Sequence, residues 1–262
     1  QQLLEYQAAA VKVASRIMIR RGGVMIGDVV GLGKTIVATA IALLMQEDLG
    51  TETLVICPKN LVEMWEGYFH EYRVHGKVMS LSMVTRDLES LRRHRVVIID
   101  ESHNLRNPKR KDYEAIKEYL ELNESKVMLL TATPYNKEYL DVAGQLGLFI
   151  DGQADLGLQP DRAIGEHGLD GFLRKFDGRL SSLDAFRKSE EAEDWQKLMS
   201  LFLVRRTRKF IQENYAKKDE SGRDYLTFAS GEKFFFPDRE ARTIPHPIVE
   251  GDPAAEMTSE ET

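Results

Sequence analysis

Asp28-Val-Val-Gly-Leu-Gly-Lys-Thr35 follows an apolar run, residues 23–27, and precedes a helical pattern from Thr35 to Asp48. Glycines let backbone N–H groups turn inward around phosphate oxygens, and the start of the next helix adds a positive dipole end. The usual phosphate-loop pattern has glycine where Asp28 stands, and the alternative is a chance glycine turn. The strand–loop–helix context favours the phosphate loop, in which Lys34 reaches the outer phosphates and Thr35 holds Mg²⁺.

A second block ends another apolar run. Val96-Val-Ile-Ile99 reads as a buried strand and leads into Asp100-Glu101-Ser102-His103. Carboxylates at the carboxyl end of a parallel strand face the ligand crevice. Asp100 is expected to bind Mg²⁺ through water, and Glu101 to act as general base toward an attacking water. The alternative is an acidic pair that caps the next helix. For His103 we favour a coupling role over metal binding, because no second His or Cys lies at ligand spacing.

A third block, Lys126-Val-Met-Leu-Leu-Thr131-Ala-Thr133-Pro134, is a strand that ends in small hydroxyl residues. Taken alone it is a strand-end turn. Apolar runs alternate with helical patterns over the first 150 residues, which predicts a parallel sheet flanked by helices. The predicted strands are Gly23–Gly27, Thr53–Cys57, Val78–Met83, Val96–Asp100 and Lys126–Thr131, and the predicted helices are Thr35–Asp48, Leu61–Tyr72, Lys111–Leu122 and Lys137–Phe149.

The character of the sequence changes after residue 150. A loop rich in Gly, Asp and Gln is followed by a helical region, Gly171 to Ala216, and then by two β-rich halves around Ser230-Gly231 that predict a hairpin. We therefore divide the chain into a nucleotide-binding core at 1–150, a helical protrusion at 151–220, a hairpin and return segment at 221–249, and an acidic tail or linker at 250–262.

Composition limits the classes of protein that fit. The 262 residues carry a net charge of −6 and one cysteine, Cys57, so an intrachain disulfide is impossible and a cysteine-based metal cage is not expected. The single cysteine fits a reducing, cytoplasmic setting. No apolar run is long enough to span a bilayer, so we expect no membrane partner. Because the chain begins at Gln1 rather than at methionine, we expect it to be a fragment of a longer protein.

Three basic clusters could contact nucleic acid. Arg106, Lys109, Arg110 and Lys111 follow the acidic block; the others are Arg92, Arg93 and Arg95, and Arg205, Arg206, Arg208 and Lys209. Cations that neutralise backbone phosphates would serve such binding. Solvated surface is the preferred reading for residues 92–95, and the pair at 205 and 206 could instead bind acidic neighbours. Trp65 and Trp195 are expected to be core residues rather than base-stacking platforms.

In this order, the three blocks resemble those of superfamily-two helicases, and within that superfamily the Swi/Snf-type DNA translocases. Tyr6-Gln7 stands upstream of the loop, where that family has a tyrosine–glutamine pair near adenine. The stretches from Cys57-Pro58 to Trp65 and from Leu203 to Thr207 resemble further family segments. Thr131 to Asn136 and Phe236 to Glu240 resemble bacterial members.

The resemblance implies a RecA-like P-loop NTPase fold, a three-layer α/β sandwich with a helical protrusion and a C-terminal β hairpin. It implies ATP and Mg²⁺ as ligands, double-stranded DNA as the track and a second RecA-like lobe as partner. Gln7 would read adenine, Asp28 stands where the family has aspartate, and Thr131 and Thr133 would couple nucleotide to track. The residues assigned to nucleotide binding are Tyr6, Gln7, Asp28, Val30, Gly31, Leu32, Gly33, Lys34, Thr35 and Ile36; those assigned to catalysis are Lys34, Asp100 and Glu101; and those assigned to the metal are Thr35 and Asp100.

The function predicted from the sequence is the ATP-binding lobe of a DNA translocase, weakly active without its second lobe. One alternative is a strand-separating helicase or restriction-system motor on DNA or RNA. Another is a P-loop ATPase that acts on protein partners only, against which Gln7 and the third block argue. A further alternative is a scaffold that does not hydrolyse ATP, and the presence of Lys34, Asp100 and Glu101 argues against it.

Overall fold

A computed structural model of the chain describes residues 3–29, 31–134, 138–176, 178–228 and 230–235. Its strands are β1 (Gly23–Ile26), β2 (Thr53–Cys57), β3 (Gly76–Ser80), β4 (Val96–Asp100), β5 (Lys126–Leu130), β6 (Leu203–Val204), β7 (Lys217–Lys218), β8 (Asp224–Thr227) and β9 (Lys233–Phe235). Its α-helices are α1 (Glu5–Arg21), α2 (Lys34–Leu49), α3 (Val62–Tyr72), α4 (Val84–Asp87), α5 (Lys111–Asn123), α6 (Leu140–Leu146), α7 (Asp161–His167), α8 (Leu169–Lys175), α9 (Leu183–Phe186), α10 (Ala192–Ser200) and α11 (Arg208–Tyr215).

The main sheet has six parallel strands in the order β3-β2-β4-β5-β1-β6. The four central strands are buried along almost their whole length, as expected when helices cover both faces. Because side chains alternate along a strand, neighbouring residues enter different cores. Val97 and Ile99 of β4 join one core, and Val96 and Ile98 join the other.

Helices complete the three layers. Apolar residues of α1, α2 and α3 pack on one face of the sheet, with Trp65 and Phe69 among them. Residues of α5, α6 and α10 pack on the opposite face, with Trp195 among them. Both tryptophans are fully buried, as the sequence predicted. This confirms the RecA-like three-layer architecture.

Several element predictions need correction. The strand predicted at Val78–Met83 lies at Gly76–Ser80 and is followed by a 3₁₀ turn, Leu81–Met83. The helix predicted at Lys137–Phe149 is shorter, Leu140–Leu146. No element was predicted where α1 lies, because Val13 and Ile19 are exposed and blur its apolar stripe.

The part of the chain after residue 150 is more divided than the sequence suggested. Leu203 and Val204 were assigned to a helical region, yet they form β6 in the main sheet, paired with Met25 and Ile26. A pairing of two residues leaves no periodicity to read. A separate small core, of Ala163, Phe172, Phe176 and Ala185, joins α7, α8 and α9. The helical protrusion at 151–220 stays a prediction as a unit.

The C-terminal hairpin is confirmed. β8 and β9 pair antiparallel, with Leu226 opposite Phe234, and β7 adds a third strand. The return segment of the unit predicted at 221–249 and the tail predicted at 250–262 lie outside the described residues. Within the part of the chain that the structure describes, no helix is both long and apolar enough to cross a membrane.

Candidate nucleotide-binding site

The register of the sheet brings the three sequence blocks to one edge. Ile26 at the end of β1 is level with Leu130 of β5, which is level with Asp100 of β4. Neighbouring strands lie about 4.8 Å apart, so the backbones of Ile26 and Asp100 lie about 10 Å apart. The phosphate loop therefore starts beside the acidic block, and Thr131 begins its turn between them.

The phosphate loop has the backbone that its glycines predict. Gly31 and Gly33 have positive φ angles of 87° and 80°, and α2 begins directly after Gly33. A side chain would be strained at both positions, and a Cβ atom on Gly33 would lie 2.6 Å from Nε2 of Gln7. Lys34 Nζ donates to the carbonyl oxygen of Asp28 at 2.9 Å, so the lysine lies folded over the loop. The helix start and the lysine together provide donors for an anion.

The Asp28 side chain forms a buried ion pair and is not placed as a phosphate ligand would be. Its carboxylate is fully buried and binds the guanidinium of Arg206, whose backbone N–H also donates to Asp28 Oδ1 at 2.8 Å. The same guanidinium donates to the carbonyl oxygen of Tyr6 and lies 5.1 Å from the centre of the Tyr6 ring. Asp28 thus joins the loop to β6 and α1. This agrees with the alternative in which an arginine of the 205–206 pair binds an acidic neighbour.

The acidic block ends β4 with a held carboxylate. Asp100 Oδ2 accepts a hydrogen bond from Trp65 Nε1 at 2.9 Å, and Oδ1 accepts from the N–H of Glu101 at 2.9 Å. Glu101 has a positive φ of 50°, an unfavourable conformation for a residue with a side chain. Strain of this kind is concentrated at functional sites. The turn sets the direction of the Glu101 side chain, which is about one-third exposed.

His103 connects the acidic block to the third block. Its Nδ1 lies 3.1 Å from Glu101 Oε2 and 3.4 Å from Thr131 Oγ1. Thr131 Oγ1 also accepts from the N–H of Thr133 at 3.1 Å. The structure therefore brings together the four residues that the sequence assigned to general-base catalysis and coupling, Glu101, His103, Thr131 and Thr133.

A second connection was missed from the sequence. Gln145 of α6 is fully buried, and its Oε1 accepts from Ser102 Oγ at 2.8 Å. Its Nε2 donates to the carbonyl oxygen of Pro134 at 2.5 Å and to that of Asp141 at 3.1 Å. One buried amide thus bridges the acidic and third blocks. A lone glutamine in a helix gives no sequence signal for this role.

A cavity of about 350 Å³ adjoins the phosphate loop. The residues that line it are Leu4, Tyr6, Gln7, Gly31, Leu32, Gly33, Ile36, Arg208, Phe228 and Phe234. Gln7 Oε1 accepts from the N–H of Leu4 at 3.0 Å, and Tyr6 donates its hydroxyl to the carbonyl oxygen of Leu32 at 3.2 Å. The volume is at the lower end for ligand pockets and suits part of a nucleotide. The sequence had assigned six of these residues to nucleotide binding, Tyr6, Gln7, Gly31, Leu32, Gly33 and Ile36. It had not assigned Leu4, Phe228 or Phe234 to the site, and it had placed Arg208 in a basic cluster that could contact nucleic acid.

Burial also marks the carboxyl edge of β2. It raises the pKa of the Cys57 thiol to about 12, with the negative charges of Asp100 and Glu66 adding to the effect. Burial likewise raises the pKa of the Tyr6 hydroxyl, although the positive charge of Arg206 opposes the shift. Burial thus favours the neutral form of both groups, the thiol beside Asp100 and the phenol beside the ion pair of Asp28 and Arg206.

Some predicted residues lie elsewhere. Val30, and Tyr135 and Asn136 of the third block, fall outside the described residues, as does the segment 236–240. Arg92, Arg93 and Arg95 form surface ion pairs with Glu52 and Glu124, which agrees with solvated surface.

The four nucleic-acid candidates divide into two pairs. Arg106 donates to the carbonyl oxygen of Thr133 at 2.9 Å and faces Asp141, and Arg110 pairs with Asp112. Lys109 and Lys111 are exposed and make no ion pair with a described residue. The two lysines are therefore the members of the cluster whose charge remains available.

Comparison with known families decides the class of the protein. The model of the SNF2-related domain matches residues 6–87 and 78–244. The chain belongs to the SNF2-related domain family. The matched range includes all three blocks, the Tyr6-Gln7 pair and the hairpin. The resemblance to Swi/Snf-type proteins that was inferred from short motifs is thereby confirmed.

Relatives in the family are much longer than this chain. Switch 2 of Arabidopsis thaliana is 30% identical over 170 residues, which cover 50% of the chain and 19% of the relative. The uncharacterized ATP-dependent helicase YqhH of Bacillus subtilis (strain 168) is 29% identical over 196 residues, with 67% of the chain and 32% of the relative covered. Helicase SWR1 of Eremothecium gossypii is 23% identical over 253 residues, 82% of the chain and 16% of the relative.

Solved structures support the same fold. The Sulfolobus solfataricus SWI2/SNF2 ATPase core in complex with dsDNA superposes with a TM-score of 0.57 at 20% identity, covering 79% of this chain and 45% of that one. The ATPase core domain from the same source gives a TM-score of 0.55 at 21% identity, with 79% and 44% covered. The chain thus corresponds to somewhat less than half of that core.

Proposed function

We propose that the chain is the ATP-binding lobe of a DNA translocase, and that it binds Mg-ATP where the phosphate loop meets the acidic block. The observation that carries this proposal is the register that sets Ile26, Leu130 and Asp100 level at one edge of the sheet. Lys34 would leave the Asp28 carbonyl for the outer phosphates. Glu101 would accept the proton of the attacking water, and Gln7 would meet the adenine.

The donor set fits Mg²⁺. Thr35 at the start of α2 and Asp100 at the end of β4 offer hard oxygen ligands, as this cation prefers. Among the described residues, no group of three or more His, Cys, Asp or Glu side chains could hold a metal by itself. Mg²⁺ commonly binds through one or two carboxylates plus substrate phosphates. When bound, the ion would neutralise charge on the triphosphate.

Coupling to a track would run through the turn at the third block. His103 contacts both Glu101 and Thr131, and Gln145 ties Ser102 to Pro134. A change at the triphosphate that moved Glu101 would therefore be felt at residues 131–134. This continuous set of contacts favours a motor over a simple nucleotide store.

Double-stranded DNA is the proposed track. The structural neighbour of similar fold was solved in complex with dsDNA. Lys109 and Lys111 are exposed beside the acidic block and could neutralise backbone phosphates. The alternative with a specific observation in its favour is a strand-separating helicase, since the YqhH relative is named an ATP-dependent helicase.

The lobe alone would be a weak ATPase. The chain spans about 45% of the SWI2/SNF2 core that it superposes on, which leaves room there for a second lobe. In motors of this type, arginines from the partner stabilise charge in the transition state and raise the rate by ~10³-fold or more. We therefore expect turnover to require a second RecA-like lobe.

The test is the ATPase rate of a longer form that carries a second lobe, measured with duplex DNA, single strands, RNA or no nucleic acid. The translocase reading predicts strongest stimulation by duplex DNA, falling steeply as salt rises. Glu101→Gln should abolish turnover and keep ATP binding, whereas Lys34→Ala should weaken binding. Equal rates with and without every nucleic acid would instead support an ATPase that acts on proteins.

A further inference from the structure

The C-terminal hairpin presents one face to the cavity beside the phosphate loop. Side chains alternate along a strand, and cross-strand partners share a face. Leu226 and Phe228 therefore lie on the same face as Phe234, which is paired with Leu226. Phe228 and Phe234 line the cavity, while Tyr225 and Phe235 lie on the other face, with ring centres 5.7 Å apart.

The hairpin is attached to the elements that shape the site. Leu226 packs in a small core with Leu4, Tyr6, Leu32 and Ile211. Leu4 also forms an antiparallel β-bridge with Phe228, and the N–H of Leu4 donates to Gln7 Oε1. The phosphate loop, the N-terminal segment and the hairpin thus form one packed unit, although they are far apart in sequence.

The phenyl rings of Phe228 and Phe234 lie nearly perpendicular to each other. Phe228 and Phe234 meet edge to face, with ring centres 6.3 Å apart and planes at 79°. Phe234 is 40% exposed and lines the cavity. On the side nearest the loop, Arg208 Nη2 lies 3.3 Å from the position of a Cβ atom on Gly31. The cavity is thus aromatic at one end and cationic beside the phosphate loop.

We propose that the hairpin forms one wall of the nucleobase pocket, and that Phe228 and Phe234 contact the base of the bound nucleoside triphosphate. The inference rests on the proposed binding of a nucleotide at the phosphate loop. It assigns to Phe228 and Phe234 a role in binding that the three sequence blocks do not include. The wall recognises a planar aromatic ring, so it adds affinity for nucleotides and none for a bare triphosphate chain.

The experiment compares affinities for ATP and for tripolyphosphate, both with Mg²⁺, by calorimetry on the full chain. Phe234→Ala should weaken ATP binding about tenfold, the usual scale for one base stacked on one ring, and change tripolyphosphate binding less than about twofold. Phe234→Tyr keeps a ring and should restore ATP binding to within about twofold of wild type. Phe235→Ala is the matched control, because it removes the same ring from the opposite face, and it should leave both affinities unchanged.

The outcomes separate this inference from the proposed function. If Phe234→Ala weakens ATP no more than Phe235→Ala does, or weakens tripolyphosphate equally, the hairpin is not a base wall. If wild type binds neither ligand, or if Lys34→Ala binds ATP as well as wild type, the nucleotide site itself is wrong and the inference falls with it. Because Phe234 is partly exposed, its replacement should leave the midpoint of thermal unfolding within a few degrees of wild type.

Discussion

The phosphate loop and the acidic block lie at the same edge of one sheet, yet they are held in different ways. The loop is held by residues far away in sequence: Arg206 binds Asp28 across 178 positions, and Tyr6 and the hairpin pack on the same side. The acidic block is held from nearer by, through Trp65 and Gln145 at separations of 35 and 43 positions.

This difference shows that the residues of a sequence motif and the residues that hold the motif in position can lie in different parts of the chain. The glycines of the loop define its backbone locally, but its position depends on β6 and α11 docking at the edge of the sheet. The acidic block follows β4, an inner strand that is hydrogen-bonded to β2 on one side and to β5 on the other. We therefore expect substitutions after residue 200 to disturb the phosphate loop first. Substitutions in α6 should disturb the acidic block first.

The largest effect should come from breaking the distant support. Arg206→Ala leaves the fully buried carboxylate of Asp28 without its partner, which costs about 3–5 kcal/mol of unfolding free energy. Its neighbour Arg205 is exposed, so Arg205→Ala should change the unfolding free energy by less than about 0.5 kcal/mol. Urea denaturation of the two variants measures the difference in their unfolding free energies. Similar midpoints would mean that the phosphate loop does not depend on its distant contact with Arg206.

A smaller effect should follow from breaking the nearer support. Gln145→Leu leaves Ser102 Oγ and the Pro134 carbonyl without their shared amide, at a cost of about 1–3 kcal/mol. A double-mutant cycle with Ser102→Ala should show a coupling of at least about 0.5 kcal/mol. Additive losses would mean that the amide does not join the two blocks.

At neutral pH the smallest effect belongs to the Cys57 thiol buried beside the acidic block, because its contribution changes only above about pH 9. Because the pKa of Cys57 is raised to about 12 in the folded chain, its thiol stays protonated there while the unfolded chain loses the proton from its ordinary value near 9 upward. The unfolded state therefore binds fewer protons in this window, and stability falls as pH rises from about 9 toward 12, by at most about 1.4 kcal/mol per pH unit.

Cys57→Ala isolates that dependence. Buried tyrosines such as Tyr113, whose pKa is also raised to about 12, titrate in the same range but are common to both proteins. The difference in unfolding free energy between wild type and variant should therefore shrink as pH rises from about 9 to 11. A constant difference would mean that the thiol is not shielded from water at the edge of β2.

Local pattern was enough to predict the four central strands of the sheet and the two blocks. The apolar runs that end at Ile26, Ile99 and Leu130 are typical of strands buried on both faces, and the carboxyl ends of parallel strands meet at one edge. The placement of the glycine turn beside Asp100 follows from those two facts. Roles assigned to individual site residues remain predictions until a ligand is bound.

The remaining features depend on contacts that sequence does not display. The pair of Asp28 and Arg206 is formed only when β6 adds to the sheet, and a strand of two residues carries no period. The hairpin was predicted from its turn, but the face of Phe234 that meets the cavity depends on how the hairpin docks on Leu4 and Ile211. Gln145 acts through tertiary placement alone.

We propose that Lys34, Thr35, Asp100 and Glu101 surround a single nucleotide–metal site. A crystal structure of the chain with Mg²⁺ and a non-hydrolysable ATP analogue tests this placement. We expect Lys34 Nζ to leave the Asp28 carbonyl for the outer phosphates, with Mg²⁺ bound by Thr35 Oγ1 and held by Asp100 directly or through water. A nucleotide bound away from the glycine turn, with Lys34 still on Asp28, would contradict it.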